Sequence, residues 1–117
     1  MKTALVLGAG GFIGGHMVKR LKSEGYWVRG VDKKLHEHEY SHADDFQLAD
    51  LTLQSDVQRV IDQQFDEVYQ LAADMGGAGY IFTGNNDANV MHGSAMTNLN
   101  VAHECVKKKV KKVFYSF

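Results

Sequence analysis

At 117 residues the chain is long enough for one domain with one hydrophobic core and too short for two. Hydrophobic residues at 44% against charged residues at 23% give the balance of a globular domain and exclude a disordered or fibrous chain. A formal net charge of -1 provides no field that would draw the protein to nucleic acid or to a membrane surface, so neither is expected as a partner.

Thr3-Ala4-Leu5-Val6-Leu7 is a short apolar run ending at Gly8, too short for a signal-peptide core or a membrane span. The single cysteine, Cys105, excludes an internal disulfide, and the two features together predict a cytoplasmic protein. Without polar alternation the run predicts a strand buried on both faces of a parallel sheet. From Gly11 to about Glu24 the period becomes helical, with Ile13, Met17, Val18 and Leu21 on one stripe, Lys19, Arg20 and Lys22 outward, and Gly25 as the stop. Trp27 to Val31 reads as the second strand, ending at Asp32, and the polar stretch from Lys33 to Asp44 as a crossover to a third strand, Phe46-Gln47-Leu48.

After Asp50 a second helix is predicted to turn Leu53, Val57, Val60, Ile61 and Phe65 inward, followed by a fourth strand from Glu67 to Ala72. A second glycine-rich loop runs from Asp74 to about Asn86. A third helix then carries Met91, Ala95, Leu99, Ala102 and Val106 at helical spacing, with Cys105 as a packing residue on its apolar face. Lys107 to Lys112 reads as a solvated helix end, and Val113-Phe114-Tyr115 as a fifth strand. Strands alternating with helices at this spacing imply right-handed crossovers and an α/β fold: a Rossmann-type doubly wound parallel sheet, its N-terminal five strands.

The segment Gly8-Ala9-Gly10-Gly11-Phe12-Ile13-Gly14 lies directly between a strand and a helix. Such a loop serves a bound pyrophosphate: Gly8 for the sharp turn, Gly10 and Gly11 for close approach of the backbone, Gly14 for tight packing of helix on strand. The helix N-terminus adds unpaired amides and a partial positive charge. Asp32, at the end of the second strand, is placed to accept hydrogen bonds from the adenosine ribose, and its carboxylate would repel a 2′-phosphate. NAD is therefore the expected cofactor rather than NADP, although Lys33 and Lys34 follow directly. His36, His38 and His42, with Glu37 and Glu39 between them, have spacings that could ligate zinc, but they lack the fixed frame of a structural site, and no metal is expected. His16, His92 and His103 read as surface or packing residues.

The Gly8-x-x-Gly11-x-x-Gly14 spacing with Phe12-Ile13, Asp50-Leu51 after the third strand and Leu71-Ala72-Ala73 after the fourth resembles the extended short-chain dehydrogenase/reductase family of nucleotide-sugar epimerases and dehydratases. Residues 71–81, Leu-Ala-Ala-Asp-Met-Gly-Gly-Ala-Gly-Tyr-Ile, are most similar to the branch that acts on GDP-hexoses. The resemblance implies a cofactor-binding set of Gly8, Gly10, Gly11, Phe12, Ile13, Gly14, Asp32, Asp50, Leu51, Leu71, Ala72 and Ala73. Within it, Asp50 and Leu51 would meet the adenine and Leu71 to Ala73 the nicotinamide-side half, while Gly76 and Gly77 would approach a nucleotide-sugar substrate.

The family chemistry so implied is a transient oxidation of the sugar at C4 by NAD, inversion at a C–H bond acidified by the ketone, and return of the hydride. It needs a tyrosine with a lysine four residues on, whose cation lowers the phenol's pKa. Tyr26, Tyr40, Tyr69 and Tyr80 are followed at that distance by Gly30, Asp44, Ala73 and Gly84, and Tyr115 by nothing, so no catalytic residue is assigned. A helical asparagine of many relatives aligns with Ser94, with Asn98 and Asn100 close by. Two functions fit: the NAD-binding N-terminal part of a longer epimerase, or a non-catalytic NAD-binding module that senses or scaffolds. The open sheet edge predicts self-association as a homo-oligomer, or else marginal stability.

Overall fold

The opening apolar run forms β1 (Thr3–Leu7), and its four apolar residues are fully buried. Successive residues of a strand point to opposite faces, so such a run requires a packed layer on each side. Ala4 and Val6 pack with Val18, Leu21 and Val28 on one face. Leu5 and Leu7 pack with Val31, Val57, Phe65 and Val101 on the other. Each fully buried Leu or Phe side chain contributes about 1.5–3 kcal/mol, which makes β1 the spine of both cores. The computed structural model describes residues 1–33, 41–72 and 87–115, the side chains of 87–95 excepted.

Beyond β1 come α1 (Phe12–Ser23), β2 (Trp27–Asp32), β3 (Asp45–Leu48), α2 (Gln54–Val60), β4 (Glu67–Gln70), α3 (Asp87–Lys107) and β5 (Lys112–Tyr115). The strands form one five-stranded sheet of order β3-β2-β1-β4-β5, and every neighbouring pair is parallel. In register, Leu7 lies beside Val31 on one side and Gln70 on the other. This is the doubly wound sheet that the strand–helix alternation predicted. From β1 the sheet grows through β2 and β3 one way and through β4 and β5 the other, so the connections diverge at the carboxyl end of β1 and leave a crevice there.

Several elements differ from the periodicity. β4 stops at Gln70 rather than Ala72, because the Gln70 side chain takes over the pairing of the backbone: Ala72 N–H donates to Gln70 Oε1 at 3.1 Å and Gln70 Nε2 donates to the Ala72 carbonyl at 3.2 Å. α2 keeps Val57 and Val60 buried, but Leu53 occupies its N-cap and is 51% exposed. Phe65 lies past the end of the helix and is fully buried as the chain turns toward β4.

The largest correction concerns α3. Leu99 and Val106, expected inward, are 64% and 80% exposed, while Thr97, Asn100, Val101, Glu104 and Cys105 are buried. Specific polar contacts reverse the face that hydrophobicity favoured. Asn100 donates from Nδ2 to two backbone carbonyls, and Lys108 Nζ donates to Glu104 Oε2 at 3.2 Å and to the Ile61 carbonyl at 2.9 Å. A buried polar group that is hydrogen-bonded does not carry the several-kcal/mol cost of an unpaired one, so hydropathy alone misjudges it. Cys105 is a packing residue as expected, its thiol pushed up to about 11 by burial and then by the Glu104 charge.

α1 and α3 end in the same motif with different residues. At the end of α1, Gly25 N–H donates to the Lys22 carbonyl and Tyr26 N–H to that of Leu21, with Gly25 at φ +89°. At the end of α3, Lys109 N–H donates to the Val106 carbonyl and Val110 N–H to that of Cys105, and Lys109 stands at φ +58°. These paired bonds satisfy carbonyls left open by the helix end and require a left-handed residue, which costs a side-chain-bearing residue energy that glycine avoids. Replacing Lys109→Gly is expected to raise unfolding free energy by about 1 kcal/mol, read as a higher urea midpoint. A lower midpoint would show that the lysine side chain contributes more than its backbone conformation costs.

Acid should weaken the fold. Asp44 accepts from Lys22 Nζ at 2.8 Å and from Val28 N–H at 2.8 Å, and these bonds hold its carboxyl below the ordinary value. The Thr3 N–H and the Lys111 ammonium do the same to Asp66. A depressed folded-state pKa gives stability that is present above the unfolded value, near 4, and is lost as pH falls through the folded value. Urea midpoints measured from pH 6 to pH 2 should therefore decline below about pH 4, and Asp44→Asn should flatten part of that decline.

Candidate functional site

The site is built from the turn that follows β1. Gly8 and Ala9 donate their N–H groups to the Val31 carbonyl at 2.7 and 3.0 Å, which ties the turn to the end of β2. Gly8 has φ +90°, and a Cβ there would stand 2.8 Å from the Ala72 nitrogen. Gly11 N–H returns to the Gly8 carbonyl at 3.1 Å, and the helical ladder of α1 opens with Gly15 N–H on the Gly11 carbonyl at 2.8 Å. The amides of Phe12, Ile13 and Gly14 therefore precede the ladder, as the first N–H groups of any helix do. A Cβ on Gly14 would lie 2.0 Å from the Gly8 oxygen, so helix and turn touch backbone to backbone.

A cleft of about 250 Å³ opens at the carboxyl ends of the strands, lined by Gly8, Gly11, Asp32, Lys33, Ala49, Leu51, Leu71, Ala72 and Thr97. It brings together residues from the ends of β1, β2, β3 and β4, the position of the topological switch. Asp32 Oδ2 accepts from Gly10 N–H at 2.8 Å and Oδ1 from Lys33 N–H at 2.6 Å. A carboxylate offers about four lone-pair directions, so each oxygen keeps acceptor capacity toward the cleft.

Other residues singled out from the sequence take different places. Gly10 spends its amide on Asp32 and, with Phe12, lines a second hollow of about 230 Å³ together with His16, Lys19, His42 and Phe46. The side chains of Phe12 and Ile13 are 80% and 64% exposed, Phe12 stacking edge-on against His16 at 4.6 Å. Only their backbone amides belong to the helix N-terminus. Asp50 stands between Ala49 and Leu51 but turns its carboxylate to Thr52, accepting the hydroxyl at 2.6 Å and the N–H at 3.0 Å. Those two bonds, with help from Lys33, hold its pKa low.

Ala73, Gly76, Gly77, His36 and His38 lie outside the described residues, and so does the side chain of Ser94. His16 and His103 are exposed. Among the described residues no group of histidine, cysteine or carboxylates could hold a metal ion, and no helix is long and apolar enough to cross a membrane.

Lys33, Ala49 and Thr97 line the cleft without having been picked out as site residues. For Thr97 a signal was available. Thr97, Asn100, Val101, Glu104 and Lys108 recur at three- and four-residue steps, a regular stripe hidden by its mixed chemistry.

Because the missing Cβ of Gly14 leaves room for a backbone carbonyl and not for a flexible side chain, Gly14→Ala should push α1 off the turn. The expected loss is about 1–3 kcal/mol of stability, measured by urea unfolding. An unchanged midpoint would mean that helix and turn separate at little cost.

Comparison with known proteins adds identity to this geometry. The model of the NAD dependent epimerase/dehydratase family matches residues 4–116. GDP-mannose 3,5-epimerase 1 of Oryza sativa subsp. indica is 38% identical over 113 residues, which are 95% of this chain and 29% of that protein. The chain thus spans under a third of the curated relatives it matches. A solved UDP-glucose 4-epimerase superposes with a TM-score of 0.83 at 26% identity, covering 97% of this chain and 35% of that one. The UDP-glucose 4-epimerase of Thermotoga maritima, solved with UDP-glucose, gives 0.78 at 26% identity over 97% of this chain and 37% of its own. With the glycine turn, the switch-point cleft and the family match in agreement, the chain belongs to the NAD dependent epimerase/dehydratase family.

Proposed function

We propose that the cleft between the ends of β1, β2 and β4 binds NAD, and that residues 1–117 form the NAD-binding part of a nucleotide-sugar epimerase. The observation that carries this reading is the convergence on one cleft of Gly8 and Gly11, the Asp32 carboxylate and the Leu51 and Ala72 walls. The amides of Phe12, Ile13 and Gly14, ahead of the α1 ladder, meet a pyrophosphate with N–H donors and the positive end of the helix dipole. Asp32 accepts ribose hydroxyls and repels a 2′-phosphate, which favours NAD over NADP. Leu51 covers the adenine side, with Asp50 beside it, and Leu71 and Ala72 line the nicotinamide side, to which the family resemblance also assigns Ala73.

Kinship with GDP-mannose 3,5-epimerases supports a GDP-hexose as substrate, with Gly76 and Gly77 assigned to it by the same kinship. Bound NAD would supply a hydride acceptor for C4 of the sugar and the donor for its return. The tyrosine–lysine pair that moves the proton and the remainder of the substrate site belong, on this reading, to further sequence of a cytoplasmic, homo-oligomeric enzyme.

Calorimetric titration tests the proposal. NAD should bind more tightly than NADP, and Asp32→Ala should weaken NAD at least about tenfold, since a hydrogen bond to a charged group is worth about 1.5–3 kcal/mol. Equal affinity of the two proteins for NAD would remove Asp32 from the site. Binding of GDP-mannose in the presence of NAD supports the epimerase assignment. In a protein that also carries that further sequence, NAD binding with no affinity for any GDP-sugar would leave a dinucleotide-binding module that senses or scaffolds.

A further inference from the structure

One turn of α3, residues 97–100, touches both walls of the cleft. Thr97 lines it directly. Asn98 Oδ1 accepts from Gln70 Nε2 at 3.0 Å, and Gln70, only 3% exposed, holds the backbone of Ala72 through both ends of its amide. On the other wall, Asn100 is 8% exposed and donates from Nδ2 to the carbonyls of Leu51 and Thr52, each at 3.2 Å. The primary amide carries two N–H donors, and each finds one carbonyl. These bonds join residues 48 and 49 positions apart, so nothing local to residues 50–53 replaces them.

The turn that Asn100 grips is also hydrogen-bonded within itself and to α2, and its Leu51 packs in the core with Leu7 and Val31. Asp50 accepts from Thr52, Asp50 N–H donates to Asp56 Oδ2 at 2.8 Å, and Leu53 N–H donates to the Asp50 carbonyl at 3.0 Å. Those bonds set the shape of the turn. The bonds to Asn100 set its distance from α3, and therefore where Leu51, 5% exposed, stands in the cleft.

We propose that Asn100 is a positioning residue for the adenosine half of the dinucleotide, with Gln70 and Asn98 doing the same for the opposite wall. This rests on the assignment of the cleft to NAD. Truncating Asn100 leaves two carbonyls unpaired and frees the Leu51 wall to move, while the Gly8–Gly14 turn, Asp32 and the Ala72 wall stay as they are. The loss should fall on one half of the ligand, which a general loss of stability would not produce.

The experiment is a titration of the 117-residue protein with NAD and with ADP-ribose, which lacks the nicotinamide. Asn100→Ala is expected to weaken both ligands by the same factor, about five- to tenfold, the worth of one to two buried hydrogen bonds. The near-isosteric Asn100→Asp, which puts acceptors where donors stood, should weaken both at least as much and serves if the alanine variant does not fold. Gln70→Leu should weaken NAD and leave ADP-ribose nearly unchanged. Wild-type affinity for ADP-ribose in a folded Asn100 variant would overturn the inference and leave the NAD assignment intact. Failure of the unsubstituted protein to bind either ligand would overturn both.

Discussion

Where α1 leaves β1, the Gly8 carbonyl oxygen occupies the space that a Cβ on Gly14 would need, 2.0 Å away. Two backbones in direct contact fix the angle between strand and helix more tightly than any pair of flexible side chains could, because neither has a rotamer through which to adjust. That contact aims the α1 N-terminus across the carboxyl end of the sheet. The N–H groups of Gly8 and Ala9, both held by Val31, lock the same corner to β2. The position of Asp32 relative to the helix amides follows, since Asp32 is the next residue of that strand and is bonded back to Gly10.

The rest of the architecture keeps this corner in place from below. β1 is buried on both faces, so the residues that carry the turn belong to both cores at once. Arg29 plays a comparable part in the middle of β2. Its guanidinium meets Asp45 and Asp62 at 2.8 Å each and donates to the Val60 carbonyl at 3.1 Å, joining β3 and the end of α2 to the strand that bears Asp32. A charge at this depth is tolerable because it is paired and hydrogen-bonded. The cleft is thus a gap between elements secured elsewhere, which suits a site that must keep its shape before a ligand arrives.

α3 gives the clearest case of chemistry that hydropathy hides. Its inward face holds Thr97, Asn100 and Glu104, and two of these make contacts that span nearly half the chain or anchor the helix end. Glu104 is fully buried, with one oxygen on Lys108 and the other without a hydrogen bond among the described residues. A helix that turns polar groups inward gives up some hydrophobic burial and gains direction, since hydrogen bonds fix distance and angle where apolar contacts do not. Leu99 and Val106 remain on the outer face.

Much of this protein was legible in its residues before any tertiary contact was known. The unbroken apolar run Thr3 to Leu7, the helical stripe through Val18 and Leu21 and the glycine at position 25 are local signals, because strand burial, helix period and left-handed turns are set by neighbours a few residues apart. The same holds for Gly8 and Gly14, whose spacing reflects a turn seven residues long. Three things lay beyond that range. The inward face of α3 depended on which carbonyls stood opposite it, the end of β4 on a side-chain amide closing over Ala72, and the cleft's third wall on Thr97 arriving from far along the chain. Each was decided by a partner distant in sequence, and the mixed chemistry of the residues that meet such partners hides them from a reading of hydropathy alone.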